Sequence, residues 1–229
     1  MILRPFLVPY LVQHCRGLVS LLEVLILQLY DLPASPNARR VRIFLAEKGL
    51  EIPMVPVNMM TGENRTEDYL KKNSLGRMPL LELDDGTCIS ESMAICRYFE
   101  EAHPNPSLMG NGSLESATIE MWQRRMEFEF ILPIISIFRH TADMWKDRFV
   151  QISEVAEQER ITVKARMEWL DKELSGKQFI AGGDYSVADI TAQCAFVMAK
   201  AALGLRIPEE LTNLSDWWAR VSTRPTARA

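Results

Sequence analysis

The spacing of apolar positions changes once along this chain, just after His103. Before that point the apolar runs are short. Residues 25–30 are almost entirely apolar and stop ahead of Pro33, which predicts a buried strand. Residues 36–48 place Val41, Ile43, Phe44 and Leu45 among Arg39, Arg40 and Arg42 and halt at Gly49, the pattern of a helix closed by a C-terminal glycine. Residues 54–57 predict a second strand, residues 78–83 and 87–89 a hairpin around Asp84-Asp85-Gly86, and residues 91–102 a helix. The order is βαβ followed by ββα.

Beyond His103 the residues Pro104, Asn105, Pro106, Gly110, Asn111 and Gly112 break any regular period and mark residues 103–113 as a linker. Every later segment has helical spacing: residues 114–140 with an interruption at Pro133, then 153–174, 187–203 and 214–221. A small α/β domain at residues 25–102 is therefore expected to precede an all-helical domain at residues 114–229. Residues 1–24 hold Pro5 and Pro9, lack a small-residue cleavage site and precede the first recognisable strand, so they read as a dispensable extension.

Charge and cysteine usage narrow the function. A net charge of −4 gives no basic excess for neutralising phosphates, which excludes nucleic acid as the expected partner. Cys15, Cys88, Cys96 and Cys194 form no C-x-x-C pair and no metal spacing with His14, His103 or His140. The reading is a reduced, cytosolic protein without a metal. Arg4, Arg16 and Glu23 interrupt residues 2–29, the one stretch long enough to be weighed as a membrane span.

Four motifs occur in order: Ser35-Pro36-Asn37-Ala38-Arg39-Arg40-Val41 after the first strand, Asn73-Ser74-Leu75-Gly76-Arg77-Met78-Pro79 before the third, Glu91-Ser92-Met93-Ala94-Ile95 opening a helix, and Phe179-Ile180-Ala181-Gly182 followed by Ser186-Val187-Ala188-Asp189. With the linker between them, they resemble the glutathione transferase superfamily, in its bacterial theta- and nu-like form with a serine at the catalytic position. The resemblance implies a thioredoxin-like domain joined to a helical one, glutathione as co-substrate, a small electrophile as second substrate and a homodimer.

Ser35 is the expected catalytic residue under that resemblance. A serine ahead of a proline is also a favoured helix N-cap, and the two roles are compatible, because a hydroxyl accepts from a backbone N–H while donating to a sulfur. Lowering a thiol pKa by about two units needs roughly 2.7 kcal/mol. One charge-assisted hydrogen bond supplies about 1.5–3 kcal/mol and a helix N-terminus about 0.3–1 kcal/mol, so a serine suffices. In nu-like relatives an Asn two positions later also faces the sulfur, which makes Asn37 a second catalytic candidate. Tyr30, inside a strand, and Tyr98, inside a helix, are poorer proton donors.

The resemblance places the rest of glutathione on Met78 and Pro79, a cis pair whose first backbone binds the cysteinyl unit, and on Glu91 and Ser92 for the γ-glutamyl end. Ser90 as a plain N-cap is the other reading of that pair. Arg77 and Asn64 are expected at the glycyl carboxylate. Ser186 and Asp189 read as a structural capping box. For the second substrate, Met121, Trp122, Met126, Phe128, Phe130 and Phe138 offer apolar surface, although a core stripe explains most of them, and Arg124, Arg125 and Arg139 are candidate contacts for an anionic acceptor. Conjugation of glutathione to small electrophiles is the expected activity. A glutathione-dependent peroxidase or disulfide reductase and a noncatalytic binding protein are the alternatives. Zeta-type isomerases carry a Ser-Ser-Cys pattern absent here, and omega-type thioltransferases carry a Cys in place of Ser35.

Overall fold

The computed structural model describes residues 27–229. The extension assigned to residues 1–24 lies outside the described residues.

Four strands, β1 (Gln28–Asp31), β2 (Met54–Pro56), β3 (Leu80–Glu82) and β4 (Cys88–Ser90), form one sheet in the order β2-β1-β3-β4. β1 runs parallel to β2, with α1 (Pro36–Glu47) as the crossover, and antiparallel to β3, which pairs antiparallel with β4. The two-residue period of a strand decides which face each side chain covers. Leu29 and Leu81 lie in register and point to the face packed by α1 and α3 (Ser92–Ala102). Tyr30 and Leu80 point to the opposite face, where Tyr69 of α2 (Glu67–Lys72) covers them with Val57 and Met78.

The sequence pattern did not predict α2, a helix too short to show a period. Its ends are chemically marked all the same: Thr66 accepts from the Tyr69 N–H at 3.3 Å, Glu67 and Asp68 sit in the first turn, and Lys71 and Lys72 in the last.

The helical domain contains α4 (Gly112–Met126), a wide π-helical turn (Glu127–Ile131), α5 (Leu132–Thr141), α6 (Ser153–Glu173), α7 (Val187–Leu203) and α8 (Thr212–Ser222). The expected break at Pro133 occurs as this wide turn immediately upstream. Pro133 has no N–H for the Glu129 carbonyl and its ring crowds that carbonyl, so the chain unwinds ahead of it.

One apolar core crosses the domain boundary, from Leu29, Phe44 and Phe99 to Met126, Phe130 and Trp217. Polar ties reinforce the joint. Lys48 Nζ pairs with Glu100 at 2.5 Å and donates to the His103 and Pro106 carbonyls, and Arg224 makes a two-pronged bond to Glu47 at 2.8 and 2.6 Å. Asp189, fully buried at the start of α7, reaches back to the Ser186 N–H at 3.0 Å, as its capping-box reading requires. It also accepts from the Ser186 hydroxyl, the Ile180 N–H and the Trp217 indole. No helix among the described residues is long and apolar enough to cross a membrane.

Candidate active site

Two adjoining cavities, of about 320 and 920 Å³, open between the domains and share Asn37, Arg77, Met78, Ile135, Arg139 and Phe149 in their walls. Ser35 lines the larger at the point where β1 hands over to α1. Its own N–H is held by the Leu32 carbonyl at 2.8 Å, and its Oγ is 3.4 Å from the Ala38 N–H. That cap bond is long, and the hydroxyl proton has no protein acceptor among the described residues. Pro36 follows at the first helical position, where its missing N–H costs nothing. Asn37 is half-buried, its side chain makes no hydrogen bond to described residues, and it stands in both cavity walls.

Across the larger cavity the chain turns sharply. Gly76 has φ 59°, and a Cβ there would lie 2.6 Å from the Asn64 carbonyl oxygen, so only glycine fits. Asn64 is buried and donates to the Gly76 carbonyl at 2.7 Å, while Tyr69 Oη and Asn73 Nδ2 both donate to the Arg77 carbonyl at 2.8 Å. These bonds fix the Gly76–Met78 backbone. The Met78–Pro79 peptide is cis. Met78 is buried, yet its N–H and carbonyl have no partner among the described residues, leaving one free backbone edge beside Ser35.

The smaller cavity holds Glu91 and Ser92. Glu91 is the N-cap of α3 with φ 69°, the single non-glycine residue at positive φ among the described residues. Such a conformation costs about 1–3 kcal/mol and persists where surrounding structure enforces it. Ser90 belongs to β4, so the plain-cap reading of Ser90 does not hold. Ser92 Oγ accepts from Arg40 Nη1 at 2.7 Å, which leaves its proton free to be donated. Arg40 is fully buried and also faces Glu127 at 3.5 Å, and its Nε and Nη2 have no partner among the described residues. Arg40, Glu127, Asn73, Ser136 and His140 were not assigned to this site from sequence. Three of these five, Glu127, Ser136 and His140, lie outside the motifs and reach the cavity from the helical domain, a neighbourhood that no local spacing encodes.

Of the residues expected to face a second substrate, Phe138 and Arg139 line the larger cavity. Trp122, Met126 and Phe130 are core, and Met121 and Phe128 are exposed outside both cavities. The periods of α4 and the wide turn direct them away from the cavities. The apolar wall comes instead from Ile135, Met144, Trp145, Phe149, Val197 and Met198. Tyr30 and Tyr98 line neither cavity: Tyr30 Oη donates to Glu82 at 2.7 Å and accepts from Lys72 at 2.7 Å.

Burial pushes the Cys96 thiol up to about 12 and the Cys194 thiol up to about 11. Both stay protonated near neutral pH, although Cys194 lines the larger cavity. Native-state alkylation at pH 8 with mass mapping is expected to label Cys88, the more accessible of the three, well before Cys96 and Cys194. Equal labelling of Cys194 and Cys88 would contradict the closed environment at α7. No group of three or more potential metal ligands occurs among the described residues.

A four-stranded thioredoxin-like sheet carrying a capped serine, a cis-proline edge and a Glu-Ser helix start, closed by a helical domain, defines a two-domain protein of the thioredoxin-like class. Comparison with known proteins makes the class specific. A family model described as glutathione S-transferase, N-terminal domain, matches residues 29–107, and one described as glutathione S-transferase, C-terminal domain, matches residues 127–225. "Glutathione S-transferase 2" of Saccharomyces cerevisiae is 35% identical over 204 residues, 87% of each chain. A glutathione S-transferase domain-containing protein of Marinobacter aquaeolei has a structure similar at a TM-score of 0.83 and 38% identity, covering 87% of this chain and 99% of its own. A class Gtt2 glutathione S-transferase of Vibrio parahaemolyticus follows at 0.77 and 36%, covering 88% and 96%. This chain belongs to the glutathione S-transferase family and is a glutathione transferase enzyme.

Proposed function

We propose that the protein conjugates glutathione to small electrophiles, with Ser35 holding the bound thiol as thiolate. The observation that carries this reading is the convergence of Ser35, the free Met78 backbone edge and the Glu91-Ser92 helix start on one pair of connected cavities. Glutathione laid along Met78 gains the two backbone bonds that edge lacks, as an added strand. Its γ-glutamyl carboxylate meets the Ser92 hydroxyl and the first N–H groups of α3, and Glu91 takes the ammonium. Arg77 takes the glycyl carboxylate, and Asn64, through its bond to Gly76, holds the Arg77 loop in place. The cysteinyl sulfur then sits at the N-terminus of α1. The Ser35 proton hydrogen-bonds the thiolate, and the thiol proton leaves to solvent. The sulfur attacks an electrophilic carbon, a C–S bond forms, and the leaving group departs with its electron pair. Holding both reactants in one cavity converts a bimolecular step into an oriented one.

Retention on immobilised glutathione, followed by turnover with a chlorodinitrobenzene acceptor, tests the reading. Retention without turnover favours a binding protein. Asn37, unpartnered beside Ser35, favours a second reading in which the same thiolate reduces peroxides or disulfides. Release of glutathione disulfide, with no conjugate formed, identifies that reaction.

Homodimerisation belongs to the same proposal. Tyr98 on α3, Met121 on α4, Phe128 in the wide turn and Leu132 on α5 are exposed large apolar residues on neighbouring elements, α3 and α4 being joined by the Arg97–Glu120 pair. Light scattering at micromolar concentration is expected to give twice the 26.2 kDa chain mass. A fully active monomer would remove the dimer. A cytosolic location is proposed on the cysteine pattern.

A further inference from the structure

The walls of the larger cavity hold five arginines, Arg39, Arg65, Arg77, Arg139 and Arg148, and not one Asp or Glu. The chain as a whole carries more acidic than basic residues, 30 against 26, so this local excess runs against composition. Bound glutathione accounts for only part of it. In the proposed pose its γ-glutamyl end lies in the smaller cavity, and it brings two negative charges into the larger one, the thiolate and the glycyl carboxylate.

Three of the five arginines are tied to backbone carbonyls: Arg39 to Ala227, Arg65 to Leu75, and Arg148 to Met59 and Met60. Arg77 and Arg139 make no side-chain hydrogen bond or ion pair among the described residues. Arg77 is expected to serve glutathione. Arg139 remains, on α5, lining the larger cavity together with the apolar Ile135, Phe138 and Phe149. Burial and the neighbouring Arg77 charge both lower its pKa, marking a cation that lacks a counter-charge. The nearby unpartnered hydrogen-bonding atoms agree in sign. Trp145 Nε1 and Arg39 Nε are buried without a partner, and both are donors. A buried donor left unpaired costs about 1–3 kcal/mol, so this wall carries donors in excess of acceptors. Arg124 and Arg125 do not contribute: Arg124 pairs with Glu120 and Glu127, Arg125 stacks on Trp122, and neither lines the cavity.

We propose that the second substrate is an organic anion, an electrophile with an apolar body and a carboxylate, whose carboxylate is held by Arg139 while the thiolate attacks from the Ser35 side. This rests on the transferase reading and adds the substrate class. Substitution on such an acceptor forms a C–S bond and releases halide with the C–halogen electron pair. The cationic wall steers the anion inward and holds it in place, and salt weakens both effects.

The experiment compares a chlorodinitrobenzoate with the matching chlorodinitrobenzamide, equal in shape and differing in charge. Each kcat/KM is divided by the uncatalysed rate with glutathione thiolate, which removes intrinsic reactivity. The expected result is about a tenfold preference for the benzoate, which shrinks as salt rises. Arg139→Gln is expected to bring the ratio close to one, and Arg139→Lys to restore most of it. Circular dichroism confirms that both variants are folded. Equal normalised rates for the two acceptors in the wild-type enzyme overturn the anion assignment while leaving the transferase intact. A benzoate preference that survives Arg139→Gln overturns the role of Arg139. No turnover of either acceptor counts against the transferase reading itself.

Discussion

Ser35→Ala is expected to lower kcat for a chlorodinitrobenzene acceptor about 10- to 100-fold at pH 6.5, with glutathione affinity changed by less than about threefold. In the proposed pose the affinity contacts belong to Met78, Arg77, Glu91 and Ser92, whereas the hydroxyl distinguishes thiolate from thiol. A charge-assisted hydrogen bond of about 1.5–3 kcal/mol, at about 1.4 kcal/mol per decade, sets that range. The deficit has a pH signature. Under the proposed mechanism the Ser35 hydroxyl lowers the bound thiol's pKa, so the advantage of the wild type is expected to be greatest below the free thiol pKa of about 8.5 and to fade as pH rises through it. Ultraviolet absorbance of the bound thiolate, titrated in both proteins, reads this directly. Coincident titrations would reduce Ser35 to a cap, worth about 1 kcal/mol, and move the sulfur contact to Asn37.

Asp189→Ala is expected to destabilise the protein by about 3–5 kcal/mol, seen as a fall in Tm of about 6–20 °C. The carboxyl group is fully buried, and burial raises its pKa even though four donors converge on it: the backbone N–H groups of Ile180 and Ser186, the Ser186 hydroxyl and the Trp217 indole. Removing it strands three N–H donors in the core and leaves a cavity beside Trp217. Asp189→Asn keeps the volume and one acceptor oxygen but sets an amide N–H against the Ser186 N–H, for a smaller cost of about 1–3 kcal/mol. Thermal melts followed by tryptophan fluorescence rank the three proteins. An Ala variant as stable as the Asn variant would mean that the donors find water and that the network adds little.

Several local features needed no third dimension. The helix at Pro36–Glu47 follows from Ser35-Pro36 at its start and Gly49 after its end, which takes φ 66°. The α7 start follows from Ser186 and Asp189, three residues apart. The βαβ-ββα order and the helical remainder follow from periods of 2 and 3.6 written by residues a few positions apart. The Ser35, Met78-Pro79 and Glu91-Ser92 motifs were legible because each is contiguous and sits at an element boundary, where a backbone requirement restricts residue choice. Tertiary packing alone decided the rest. Arg40 reads as one more arginine on a basic helix, and only the meeting of α1, α3 and the wide turn makes it the buried donor to Ser92. Met121 and Phe128 look like substrate contacts until the fold turns α4 and the wide turn that carry them outward, and the cavity wall is drawn from α5, the Met144–Phe149 loop and α7, up to about 60 residues apart. The arginine-lined pocket is invisible in a chain of net charge −4, because side chains distant in sequence acquire a common field only when the fold brings them around one cavity.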